Sequence, residues 1–345
     1  LKLANIPKDK PVYRALFHAI TQDAVRAAVF RWLLPQCPRL FADRARRVAW
    51  LGGFSVLLAF GLTVTVPLWM LALGPLLLGV PHLLADLRYL VVVPGLHRRP
   101  WLCVAAGLPL AAVGLGAPAA VGLLAVAAAV LCAQGAAPHK VVALGAWAAL
   151  TIGALVDESL FVIGFLHLHN VVALGLWWYL RPRDGRAAAV LLLVAVGSVL
   201  LIGGAMDPLV AGLGGWIAPV TGIDLAEHAQ VLVPVGDPVL AQRGLLCFAF
   251  LQAVHYAVWL RLVPEDARAR PVPRSFRASW LALGDDFGTW PLVIAAALAI
   301  GIALWGACDL VAAREGYLRL AAFHGYLELA VMALLLVERR RPATP

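Results

Sequence analysis

Apolar runs closed by proline, glycine or knots of charge recur along most of this chain. A helix needs about 20 apolar residues to cross roughly 30 Å of hydrocarbon, and the spacing predicts ten such helices. They fall at 48–66, 68–94, 101–116, 118–136, 139–156, 159–180, 187–206, 244–262, 290–311 and 316–337. The runs are too long and too rich in leucine and alanine for barrel strands, and they lack the alternation strands would show. The fold class expected is all-α: a polytopic transmembrane helical bundle of about ten helices.

Charge fixes the expected orientation. With residues 1–47 in the cytoplasm, the inner connections are HRRP (97–100), PHK (138–140), RPRDGR (181–186), the loop 261–288 and ERRRP (338–342). All but three of the 28 Lys and Arg residues then lie on or near the inner side, the exceptions being Arg243, Arg314 and Arg319. Short cytoplasmic loops carry such an excess, so both termini are expected inside, in a bacterial cytoplasmic (inner) membrane. Outside the bundle (48–342), residues 12–34 have the periodicity of a helix lying on the inner leaflet. The outer loop 207–243 contains IDLAEHAQVLV, read as a short amphipathic cap.

Composition agrees and excludes alternatives. Of 345 residues, 62% are hydrophobic and 14% charged, whereas soluble domains are nearer a quarter charged. The net charge of +9 sits in short loops, which argues against a nucleic-acid partner. The five cysteines are scattered singly with no CxxC, which argues against thiolate zinc, iron–sulfur clusters and covalent haem. Nothing in residues 1–47 reads as a cleavable signal.

Against this background the stretch GVPHLLADLRY (79–89) stands out. An Asp or Arg at the centre of a span costs about 2.5–3.5 kcal/mol on insertion scales, and ionisable residues inside spans usually face the bundle interior. The spans hold His82, Asp86 and Arg88, then His167 and His169, His255, and His324 with Glu328. His82, Asp86 and Tyr89 share one helix face, as do His324 and Glu328, with Tyr317 a further seven residues back. Gln252, His255 and Trp259 share another, and His167 shares one with Asn170, whereas His169 points nearly opposite. Imidazole binds iron, copper, zinc or haem, and a carboxylate four residues away orients the ring. The expected metal ligands are therefore His82, His255, His324 and one of His167 and His169. Asp86 and Glu328 orient rings or bind directly; Tyr89, Trp259, Tyr317 and Asn170 line the site. His18, His97, His139 and His228 read as surface residues, and WWYLR (177–181) as an interfacial aromatic belt.

All four histidine-bearing spans run in the same direction, so depths compare. If every following arginine marks the interface, the histidines form two layers; if Arg88 is buried, His82 moves to mid-membrane.

The segment Gly79-Val80-Pro81-His82-x-x-x-Asp86 resembles the G-[IV]-P-H-x-x-x-D signature of the Brp/Blh family of membrane β-carotene 15,15′-dioxygenases. The resemblance covers about eight residues and implies non-haem iron (Fe2+), His82 as a ligand with Asp86 beside it, and oxidative cleavage of a carotenoid. The family's later pair of histidines four residues apart has no counterpart here. The function expected is a histidine-ligated metal oxygenase acting on a lipophilic small molecule among membrane lipids. The alternatives are a haem b electron carrier, a proton-coupled transporter, and a bundle subunit of an oligomer or larger complex, with copper as an alternative metal to iron.

Overall fold

The computed structural model describes residues 43–180, 185–214, 225–267 and 276–339. The expected interfacial helix 12–34 lies outside them, with His18. Among the described residues every regular element is helical and none is a strand. In chain order these are α1 (Arg44–Thr65), α2 (Pro67–Val92), α3 (Pro100–Gly114), α4 (Ala119–Cys132), α5 (Ala137–Val156), α6 (Glu158–Leu180) and α7 (Gly185–Ile202). After them come the short α8 (Asp207–Gly214) and α9 (Leu225–Leu232), then α10 (Pro238–Asp266), α11 (Phe276–Phe287), α12 (Thr289–Cys308) and α13 (Leu310–Glu338).

Eight of these helices, α1, α2, α5, α6, α7, α10, α12 and α13, are long and apolar enough to cross a membrane. Helices α3 and α4 occupy the third and fourth expected spans but have only 15 and 14 residues. At 1.5 Å per residue each covers about 21–23 Å, short of the hydrocarbon thickness. They pack on one another and against α13. Within the outer segment, α9 is helical and packs on α10, burying Ala229 with Leu71, Leu245 and Phe248. The inner loop 261–288 is not wholly a loop, since it contains α11.

Aspartates at span ends start several helices. Asp43 accepts from the Ala45 and Arg46 amides, Asp237 from Val239 and Leu240, and Asp309 from Ala312. Each satisfies amides that the first turn leaves without partners. The Arg46 amide above all holds the Asp43 carboxyl below the usual range.

The irregular places are in α2 and α10. Helix α2 contains π-helical turns at Gly74–Leu78 and Leu87–Val92, and α10 one at Val258–Leu262. Such turns are rare and concentrate at functional sites. Pro75 sits in the first and has no N–H to give the Leu71 carbonyl four residues back. Arg314 Nε donates to that carbonyl at 2.9 Å. This explains one exception to the charge asymmetry, because Arg314 completes a helix that proline interrupts.

Buried ion pairs clamp one end of the bundle. Arg47 meets Glu265 through Nε at 2.6 Å and Nη2 at 2.5 Å, both side chains being almost fully enclosed. Trp177 is buried and donates to Asp266 at 3.0 Å, so it is a packed polar anchor rather than part of an exposed aromatic belt. Arg99 pairs with Glu338 at 2.6 Å. Breaking a buried pair from one side costs about 3–5 kcal/mol, because the remaining charge is stranded. Arg47→Met is therefore expected to lower the thermal unfolding temperature in detergent markedly, and Arg47→Met/Glu265→Leu to recover most of the loss. Equal melting of the single and double variants would contradict this.

Candidate metal centre

Four separate helices each deliver one imidazole to a common point: His82 from α2, His169 from α6, His255 from α10 and His324 from α13. The ring centroids of His82 lie 4.6 Å from His255 and 5.1 Å from His324. Those of His169 lie 5.0 Å from His255 and 5.1 Å from His324. His82 Nε2 and His255 Nε2 are 2.9 Å apart. One donor atom from each of His82, His255 and His324 falls within 4.8 Å of the others, and the same holds for His82, Asp86 and Glu328.

The carboxylates come from the same helices. Asp86, one turn after His82, places Oδ2 3.3 Å from His82 Nε2. Glu328, one turn after His324, places Oε1 3.6 Å from His255 Nε2 and accepts a 2.7 Å hydrogen bond from Trp259 Nε1. Asp86 and Glu328 are fully enclosed, as is His82. No solvent is at hand to share their charge.

Two rings are held by backbone. His169 Nδ1 donates to the Leu166 carbonyl at 2.7 Å and His324 Nδ1 to the Ala321 carbonyl at 2.5 Å. A ring that donates through Nδ1 presents an unprotonated Nε2, the form that ligates metal. Other polar atoms are left without hydrogen-bond partners: His82 Nδ1, His255 Nδ1, both oxygens of Asp86 and Glu328 Oε2. An unsatisfied buried polar atom costs about 1–3 kcal/mol, more when charged, so leaving this many together is costly.

Close approach of the helices rests on two glycines. A Cβ at Gly79 would overlap the Tyr317 ring, and one at Gly325 would lie 3.0 Å from Phe165 and 3.5 Å from the His169 Cβ. Gly325 thus lets α6 bring His169 beside His324.

Some expected residues are elsewhere. His167 is not in the cluster: its Nε2 donates to the Leu232 carbonyl at 3.0 Å, and its ring lies 4.8 Å from Phe248. It ties α6 to the end of α9, where the last helical carbonyls lack amide partners. Tyr89 follows the onset of the π-helical turn after Asp86, which breaks the i, i+4, i+7 stripe. It pairs with Arg88, Nη1 to hydroxyl 3.3 Å, under the guanidinium. Asn170 is buried and donates to the Leu166 carbonyl at 3.3 Å. Tyr317 is buried and lies against Gly79.

Arg88 is buried and paired with Asp286 of α11 at 2.6 Å. The ring separations of 4.6 to 5.1 Å put the four histidines in one layer, not two. Tyr256 was not singled out by the helical stripe through His255, although its ring lies 5.2 Å from His82 and 6.0 Å from His255. An aromatic hydroxyl next to a histidine in an apolar span was the available signal.

Comparison with protein-family models, with curated proteins and with solved structures finds no match. The geometry therefore stands alone: mixed nitrogen and carboxylate donors in an enclosed apolar core. Such a set suits a first-row transition ion. Cobalt(II) titration of the purified chain is expected to give ligand-field bands that His167→Ala leaves intact and His169→Ala weakens or shifts. The reverse pattern would mean that the wrong face of α6 has been assigned.

Proposed function

We propose that this chain is an integral-membrane metal protein in which His82, His169, His255 and His324 hold one iron ion. The reaction is oxidation of a lipid-soluble substrate, with carotenoid cleavage as the specific activity. The observation that carries this is the convergence of imidazoles from four helices, with two carboxylates, in a core where all but His324 are buried. The bacterial cytoplasmic membrane is the setting that the lysine and arginine distribution favours. Carotenoid as substrate rests on the likeness at GVPHLLAD.

The residues present fit a bare divalent ion. With metal–nitrogen bonds of about 2.1 Å, two imidazoles at right angles have nitrogens about 3 Å apart; His82 and His255 have theirs at 2.9 Å. Rings already in edge contact leave no slot for a porphyrin between them, which favours a bare ion over haem b. Charge balance points the same way: two carboxylates neutralise one divalent ion, and an uncompensated charge in apolar surroundings is strongly disfavoured.

The chain's own groups then have definite tasks. Leu166 and Ala321 carbonyls fix the tautomers of His169 and His324. Trp259 holds Glu328, and Asp86 supplies the second compensating charge. The surrounding apolar core excludes water and so protects reactive species from side reactions. Iron, when bound, supplies one-electron and dioxygen chemistry.

Elemental analysis with a visible spectrum tests the reading. About one iron per chain and no Soret band are expected, with His82→Ala losing the metal and Asp86→Asn or Glu328→Gln lowering its occupancy severalfold. A folded wild-type protein that takes up no transition metal would overturn it. Expression in β-carotene-accumulating cells is expected to bleach their colour, and His82→Ala to restore it; unchanged colour with wild type would remove the carotenoid assignment.

A further inference from the structure

Two apolar cavities flank the histidine cluster, and only one of them touches it through a side chain described above. The first, about 410 Å³, lies among α2, α3 and α13, against Phe323 and Leu327. Apart from Cys103 its lining side chains are hydrocarbon or glycine, and it includes no member of the centre. The second, about 470 Å³, lies between α1, α2 and α10. Small residues make its space, among them Ser55, Ala59, Gly74 and Ala253. Exposed Leu58 and Leu77 stand at its rim, so it opens on the flank of the bundle.

The second cleft also carries Gln252 and Tyr256. Tyr256 is buried, its ring in edge contact with His82. One face of that ring therefore belongs to the cleft and another to the metal centre. Ligand sites are typically cavities of about 300–1,000 Å³, mostly apolar with a few placed polar groups, and this cleft has that make-up.

We infer that the cleft between α1, α2 and α10 seats the elongated apolar part of the substrate, entering from the side of the bundle. Tyr256 forms the partition between its inner end and the histidines. The inference rests on the metal-centre reading and adds to it the substrate's location and shape: an uncharged, chain-like, lipid-soluble molecule. Tyr256 is assigned as a positioning residue that sets how far the chain advances toward the ion.

The test uses the full chain in nanodiscs of phosphatidylcholine with a diazirine-bearing C20 alkane as photoprobe, and metal content is measured on the same samples. Labelling at residues 69–78 and 252–260 is expected to saturate at low probe mole fraction. Ala253→Phe, which fills the floor, and Ser55→Trp, which blocks the mouth, are each expected to reduce it at least tenfold with metal content unchanged. Tyr256→Ala is expected to extend labelling to residues of the histidine cluster, and Tyr256→Phe is not. Labelling that rises linearly with probe, as for annular lipid, or that concentrates on the Phe323 cavity, would overturn the inference while leaving the metal reading in place. Saturable labelling of the cleft in a chain without metal would support the cleft and sink the metal reading.

Discussion

Ionisable side chains in a hydrocarbon-like core must satisfy one another or a guest, because water is not there to do it. That constraint organises this structure. His82, Asp86, His255 and Glu328 are enclosed on all sides, and their spare donors and acceptors face each other instead of the helix backbone. Elsewhere in the chain the same constraint is met by pairing: Arg47 with Glu265, Arg88 with Asp286, Trp177 with Asp266. At the histidine cluster pairing is incomplete. Two carboxylates and four rings share this space, and several of their atoms stay without hydrogen-bond partners, the imbalance that the proposed cation would resolve.

Convergence of four helices on a point needs departures from ideal helical geometry. His82 and Asp86 sit on the regular segment Gly79–Asp86, between two π-helical turns, and His255 lies three residues before another. A π-helical turn rotates everything beyond it relative to an ideal helix, so α2 can present its donors to the core while aiming Arg88 at α11. Glycine does the remaining work at two contacts beside the cluster, α2 with Tyr317 and α6 with α13. Rigid placement by several helices, rather than by loops, is what a metal centre requires of its scaffold.

The helical, membrane-spanning character was legible because twenty-residue apolar runs have few other solutions. The helices α3 and α4 were over-read as full spans: apolarity runs through the intervening Gly-Ala-Pro and Gln-Gly segments, but the helices stop at Gly114 and Cys132. For the site, the stripe argument found His82, Asp86, His255, His324 and Glu328, since i, i+4 spacing is local information. It did not separate His167 from His169. What separates them is the Leu232 carbonyl, 65 residues away, and the room left by Gly325. Trp177 was read as part of an aromatic belt and Arg88 was left open between boundary and interior for the same reason, because their partners Asp266 and Asp286 lie far along the chain. Tyr256 escaped because it joins the cluster sideways from a neighbouring helical row.

The bond from Arg314 to the Leu71 carbonyl has a wider consequence. It fastens the backbone gap left by Pro75 in α2 to α13, the helix that carries His324 and Glu328. The two helices that provide four of the six donors are thereby locked in relative height and rotation by a group that never touches the centre. Pro75 and Arg314 form a matched set: the ring creates an acceptor with nothing to receive, and the guanidinium, otherwise out of place among lipids, has somewhere to spend its charge. Homologous chains that keep the donors should gain or lose this proline and this arginine together.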